Sequence, residues 1–174
     1  MTDLVVYAVD PAIYDAQAFL EWDSNELLCL ADFSGKTILD VGAGTGRLTL
    51  AVAGMAATVF AVEPVANLRS FLKQKCSKQG IRNVYAVDGL INEIPFPDQF
   101  ADITMAGHVF GDSPEAEYQE LLRVTKPGGM IILCPGNSDK DDAVHHFLLA
   151  RGFSWSRFEE PHDGWKRKYW QKRA

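Results

Sequence analysis

Thr37-Ile38-Leu39-Asp40-Val41-Gly42-Ala43-Gly44-Thr45-Gly46 is an aliphatic, β-branched run that ends in an acid and passes into three glycines at alternate positions. The first five residues read as a buried strand, entered through Ser34-Gly35-Lys36. The glycines permit positive φ and close approach of the main chain to a ligand. A helical pattern follows from Arg47 to Met55. Its first turn leaves N–H groups unbonded and carries the positive end of the helix dipole. A strand, a glycine bend and a helix in that order mark the carboxyl edge of a parallel sheet, where doubly wound folds bind ligands.

The rest of the chain repeats the alternation. Strands are expected at Thr58–Val62, Val84–Val87, Ala101–Ala106 and Met130–Cys134. Between them lie helical patterns over Asn67–Gln79, from Pro114 to Val124 with Ser113 as N-cap, and over Asp141–Arg151. Gly89–Glu93 reads as a short turn, and Pro95 and Pro97 hold an extended loop. Lys126-Pro127-Gly128-Gly129 is expected to close the helix before the fifth strand. The tail reads as two aromatic strands, Phe153–Phe158 and Trp165–Lys172, joined through Pro161–Gly164. Residues 1–34 form a helical cover with segments Pro11–Glu21 and Asp23–Ala31, and residues 35–174 form the main domain. The expected fold is α/β, a three-layer Rossmann-like arrangement around a mostly parallel seven-stranded sheet with a C-terminal antiparallel hairpin.

Composition narrows the function classes. The 174 residues suit one domain, with 47% hydrophobic residues for its core. The net charge of -6 gives no strong nucleic-acid signal. Lys166, Arg167, Lys168, Lys172 and Arg173 form a basic terminal strand, read as an edge guarded by cations that nearby Glu159, Glu160 and Asp163 can pair. Cys29, Cys76 and Cys134 are dispersed and odd in number, which fits a reducing, cytoplasmic location without a disulfide framework. No metal site is expected: the adjacent His145 and His146 diverge on a helix. Neither a membrane span nor a secretory leader is read in the sequence.

Two ligand classes use a glycine bend of this kind. The dinucleotide fingerprint G-x-G-x-x-G, aligned on Gly42 and Gly44, would need a third glycine where Arg47 stands. The observed Asp40-x-Gly42-x-Gly44-x-Gly46 spacing instead resembles motif I of the class I S-adenosylmethionine-dependent methyltransferases. Glu63-Pro64 after the second strand, Asp88-Gly89-Leu90 after the third, the Lys126–Gly129 turn and the terminal hairpin extend the resemblance in order. It implies a cofactor, S-adenosylmethionine, yielding S-adenosylhomocysteine. The implied contacts are Asp40, Gly42, Ala43, Gly44, Thr45 and Gly46 around the methionine portion, Glu63 and Pro64 at the ribose, and Asp88, Gly89 and Leu90 at the adenine. A carboxylate such as Glu63 suits the ribose because it can accept from both hydroxyls of a diol. Tyr14 resembles the lid residue of small-molecule members.

The resemblance implies methyl transfer to a small-molecule acceptor, with a homodimer or partner chain as an available way to complete the pocket. His108, in Ala106-Gly107-His108-Val109 after the fourth strand, is the candidate general base, since imidazole titrates near neutrality. No Asn-Pro-Pro-aromatic motif occurs, and Cys134-Pro135 has the reverse order of a cytosine-methylating nucleophile. A non-catalytic cofactor-binding partner and an NAD-dependent oxidoreductase are the alternative readings. Gly44→Val is expected to abolish S-adenosylmethionine binding, because the added side chain occupies the close-approach surface; a titration of the folded variant by calorimetry checks it.

Overall fold

The computed structural model describes residues 9–136 and 139–174, so the first eight residues of the expected N-terminal cover lie outside the described residues. Seven strands form one sheet: β1 Thr37–Val41, β2 Thr58–Val62, β3 Val84–Val87, β4 Ala101–Gly107, β5 Thr125–Cys134, β6 Ser154–Glu160 and β7 Gly164–Lys172. Their order is β3-β2-β1-β4-β5-β7-β6. The first five strands run parallel, and β7 pairs antiparallel with both β5 and β6. The expected α/β architecture, a mostly parallel sheet closed by a hairpin, is the observed one.

Alternation along β1 builds the two cores. Ile38 packs with Val52, Val59, Ile103, Met105 and Ile132 on one face. Leu39 and Val41 pack with Tyr118, Leu121, Ile131, Leu133 and Leu148 on the other. The first face carries α2 Asn25–Leu28, α3 Arg47–Ala53 and α4 Ala66–Lys78, with α1 Pro11–Asp15 against α4; the second carries α5 Pro114–Val124 and α6 Ala143–Ala150. Asp40 is two residues beyond Ile38, so it points to the α3 side, where Thr49 meets it.

The sheet order places the site. The chain leaves β1 toward β2 and β3, then returns to lay β4 and β5 on the opposite side of β1. The crevice opens where those directions diverge, at the carboxyl ends of β1 and β4. The glycine bend follows β1, and His108 follows Gly107 at the end of β4, so both lie at that crevice. Among the described residues no helix is long and apolar enough to cross a membrane.

The N-terminal cover is less helical than the apolar pattern predicts. The Pro11–Glu21 segment resolves into α1 and a 3-10 turn at Ala18–Leu20, and Asp23–Ala31 shrinks to α2. Arg47 anchors the segment between them: its guanidinium takes the carbonyls of Leu20 (2.7 Å) and Trp22. Asp10 and Asp23 each accept a main-chain N–H two residues on, from Ala12 and Asn25, restarting the chain locally.

Lys126–Gly129 is also corrected. It lies inside β5 as an irregular stretch, with a register shift opposite Ala101 and Ile103. Gly128 donates to the Arg173 carbonyl, and Gly129 accepts from the Arg173 N–H, both at 2.8 Å, so the stretch continues pairing along the terminal strand. A Cβ on Gly129 would stand 2.6 Å from the Asp102 carbonyl and 2.8 Å from that of Lys126. Those neighbours are main chain and cannot rotate away. Gly129→Ala is therefore expected to destabilise the fold by about 1–3 kcal/mol, read as a lower urea midpoint.

Candidate active site

Gly42, Gly44 and Gly46 all adopt positive φ, at 72°, 54° and 92°. The bend is braced from β2: the N–H groups of Gly42 and Ala43 both donate to the Val62 carbonyl, at 2.8 and 3.0 Å. Gly44 N–H donates to Glu63 Oε2, and Val65 N–H to Glu63 Oε1, each at 2.9 Å. The same carboxylate thus holds two loops at the crevice. Burial raises the Glu63 pKa above the ordinary range against these amide bonds.

Asp40 lies wholly beneath the bend. Its Oδ2 accepts from Thr49 Oγ1 at 2.6 Å. Its Oδ1 and the Thr45 hydroxyl are buried with no hydrogen-bond partner among the described residues. Burial pushes the Asp40 carboxyl up to about 7, opposed by Thr49 and aided by the negative Glu63. Such orphaned atoms are costly unless something binds them.

Two adjoining cavities meet at the bend. One is lined by Tyr14, Asp40, Gly42, Ala43, Thr45 and His108, among others. The second includes Tyr14, Gly42, Gly44, Glu63, Pro64 and His108, and its volume of about 380 Å³ falls within the range used for small ligands and cofactors. Tyr14 packs against Gly44, and a Cβ on Gly42 would overlap Val109. These two side chains therefore form the roof of the glycine bend. Lys75 pairs with Asp15 at 2.6 Å and tethers the segment that carries Tyr14.

The remaining expected site residues are placed as follows. Gly46 caps α3 and faces Leu72, so its missing side chain serves helix packing. Asp88, Gly89 and Leu90 line a separate depression with Ile94, Pro95 and Phe96. Asp88 is open to solvent but joined to the site through Arg69, which bonds its Oδ1 at 3.1 Å and the Glu63 carbonyl at 2.7 Å.

His108 follows β4 directly with φ 59°, a left-handed conformation that is strained for a side-chain-bearing residue. Its N–H donates to the Cys134 carbonyl at 3.0 Å. Its ring lies 5.3 Å from that of Phe19 and fills the space beside Gly136 that a Cβ would need. Burial, reinforced by Lys166, lowers its pKa, leaving the imidazole neutral at physiological pH.

Several groups at the site carry no motif in the sequence. Arg47 stacks on Trp22 at 4.2 Å and bonds Leu20, Trp22 and Ser24, tying the helix after the glycine bend to the N-terminal cover. Lys168 is buried between Glu26 and Glu160. Gly136 is the third such residue. The only sequence signals were a glycine after Pro135 and an unusually basic strand.

The Asp40 carboxyl is protonated more readily in the folded chain than its ordinary value of 3.8 implies, so folding is favoured at low pH by this group. That contribution is lost as pH rises through the interval from about 4 to about 7. Glu63 acts in the same direction. Asp40→Asn is expected to flatten the pH dependence of the ligand-free stability across that interval, measured by urea denaturation.

Comparison with known proteins agrees with this geometry. The family model described as a methyltransferase domain matches residues 39–133, more than half of the chain. A demethylmenaquinone methyltransferase of Geobacillus stearothermophilus is 30% identical over 118 residues, covering 65% of this chain and 50% of that protein. The uncharacterized methyltransferase YcgJ of Bacillus subtilis is 26% identical over 157 residues, covering 85% of this chain and 60% of that one. The chain therefore spans about half to three-fifths of the length of these curated relatives. The crystal structure of an S-adenosylmethionine-dependent methyltransferase from Aquifex aeolicus has the same fold, with a TM-score of 0.71 at 21% identity over 92% of this chain and 94% of that one. With a motif-bearing bend at the switch point of a seven-stranded sheet and a matching family model, the chain belongs to the class I S-adenosylmethionine-dependent methyltransferases.

Proposed function

We propose that this chain binds S-adenosylmethionine at the glycine bend and transfers its methyl group to a small-molecule acceptor. The observation that carries the reading is the pair of orphaned, buried polar atoms beneath the bend, Asp40 Oδ1 and Thr45 Oγ1. They suit an ammonium group, which supplies donors and a charge that an ionised Asp40 would balance. Asp40 and Thr45 are accordingly assigned to the methionine portion, with the main chain of Gly42, Ala43 and Gly44 alongside.

Glu63 is assigned to the ribose. Each of its oxygens already accepts one amide N–H, and each retains a second lone pair for a hydroxyl. Pro64 bounds the same cavity. Asp88, Gly89 and Leu90 are assigned to the adenine, a reading supported by the Arg69 link between Asp88 and Glu63. Tyr14 and Val109 roof the site and exclude water from it.

When bound, the cofactor supplies a methyl group already activated by its sulfonium. The residues therefore have to align the acceptor and, where it carries a proton, remove it. His108 is the group assigned to that proton: it stands at the carboxyl end of β4, borders both cavities and is kept neutral. Arg47 weighs against a dinucleotide. The position where that fingerprint packs a glycine is filled by a side chain committed to Leu20, Trp22 and Ser24.

Near-saturating S-adenosylmethionine or S-adenosylhomocysteine is expected to raise the apparent Tm by about 5–10 °C, and NAD at the same concentration to leave it unchanged. A shift with NAD alone would replace this reading with the oxidoreductase one. Release of S-adenosylhomocysteine in an acceptor screen then separates an enzyme from a non-catalytic binding partner.

A further inference from the structure

The cavity above Asp40 runs past His108 to a wall where the N-terminal cover meets the terminal hairpin. Four cations line it, Arg47, Lys166, Arg167 and Lys168, against two carboxyl groups, Asp40 and Glu160. Over the wider wall the charges balance: with Arg157 added, five cations stand against Glu26, Asp139, Asp141, Glu160 and Asp163. The balance is uneven in space. Of those five acids only Glu160 lines the cavity, so the cations face inward and most of their partners do not. Leu20 and Leu48 line the same space, and the Phe19 ring lies 5.3 Å from that of His108, which leaves apolar surface for the body of a ligand.

The four cations differ in how firmly they are held. Arg167 and Lys168 are buried, each between two carboxylates. Arg47 is committed to the neutral oxygens of Leu20, Trp22 and Ser24. Lys166 pairs at 2.9 Å with Asp163, whose side chain stands 38% exposed at the hairpin turn. A pair open to water on one side holds its cation weakly, and an ammonium has three donors, so Lys166 can take an anionic partner from the cavity as well. Its field reaches His108. Burial lowers the His108 pKa most and Lys166 next; Lys168 adds to them and Asp163 opposes. An imidazole made less basic in this way suits an acceptor whose proton is itself acidic, and the same cations stabilise the anion left behind. An ammonium or an aliphatic alcohol is too weak an acid for such a base, and a carboxylate has already lost its proton.

We propose that the acceptor is a small oxygen acid, a phenol or an enol on an apolar body, its oxygen held by Lys166 and its proton taken by His108. The proposal rests on the methyl-transfer reading and names its substrate class. The hydroxyl proton passes to the His108 imidazole, and the oxygen keeps the electron pair beside the Lys166 ammonium. That pair forms the bond to the methyl carbon, and the carbon–sulfur bond breaks with its electrons passing to sulfur. The product is a neutral methyl ether, which Lys166 no longer holds as an anion, and the imidazolium returns its proton to water.

4-Nitrophenol, 2-naphthol and 1,3-cyclohexanedione serve as oxygen acids, with 2-phenylethanol, phenethylamine and phenylacetate as the alcohol, amine and carboxylate for comparison. Binding to protein saturated with S-adenosylhomocysteine is measured by calorimetry, and turnover with S-adenosylmethionine by product release. The ionisation of bound 4-nitrophenol is followed by its visible absorbance across a pH titration. Its ionisation constant is expected to be about tenfold larger on the protein than in water, and at least one oxygen acid to be methylated faster than all three comparison compounds. Lys166→Gln is expected to remove most of the tenfold change, and Lys166→Arg to keep it, while the thermal shift with S-adenosylmethionine persists in both. Binding by no oxygen acid, an unchanged ionisation constant, faster methylation of the alcohol, amine or carboxylate, or an undiminished effect in a folded Lys166→Gln would each overturn the proposal. The titration of the unaltered protein needs no variant and decides the matter if Lys166→Gln does not fold. A missing thermal shift with either cofactor form would remove the methyl-transfer reading too, and it is read without any acceptor present.

Discussion

A buried carboxylate at the end of the central strand is the constraint around which this structure is arranged. Asp40 has no exposure, a single hydrogen-bonded oxygen and a raised pKa. Isolated in an apolar core such a group would be replaced or neutralised. Here it sits where β1 gives way to the glycine bend and where the sheet order reverses, so its free oxygen faces a cavity. The glycines, the Val62 carbonyl and Glu63 then hold the chain in the bend above it. Remove the acid and the bend remains a turn; remove the bend and the acid has no outlet.

The walls of the site come from distant parts of the chain, and charged contacts join them. Arg47 on the helix after the bend holds the N-terminal cover by its carbonyls and by the Trp22 ring. Lys168 on the last strand reaches the same cover through Glu26. Buried ion pairs are weak evidence for added stability, since desolvation offsets much of their attraction. Their consequence here is positional: they fix the cover against the hairpin and leave Trp22, Glu160 and His108 around one space.

Much of the fold was legible because its signals are local. Ile38 and Leu39 alternate between two cores, the glycines follow at once, and each later strand except β5 begins within a residue of where β-branched runs predict it. The same holds for Glu63, whose place at a strand end follows from sequence order. The cover holds less helix than its apolar pattern predicts, and Arg47, more than twenty residues away, ties its Leu20 and Trp22 carbonyls to the helix after the bend. Lys126–Gly129 has the residues of a turn, but Arg173 draws it into the sheet from far along the chain.

The sequence by itself determined the order of strands and helices, the glycine bend with its flanking acids, and the family resemblance. Each of these depends on residues adjacent or periodic along the chain. Tertiary structure alone decided that Gly46 packs on Leu72, that Val109 joins Tyr14 over the bend, and that Arg167 of the basic strand pairs with Asp139 and Asp141. It also decided that Glu26, Lys168 and Glu160 form one buried group. The reason is reach: the charge a cavity presents depends on which side chains converge on it, and Lys168 meets a partner 142 residues away.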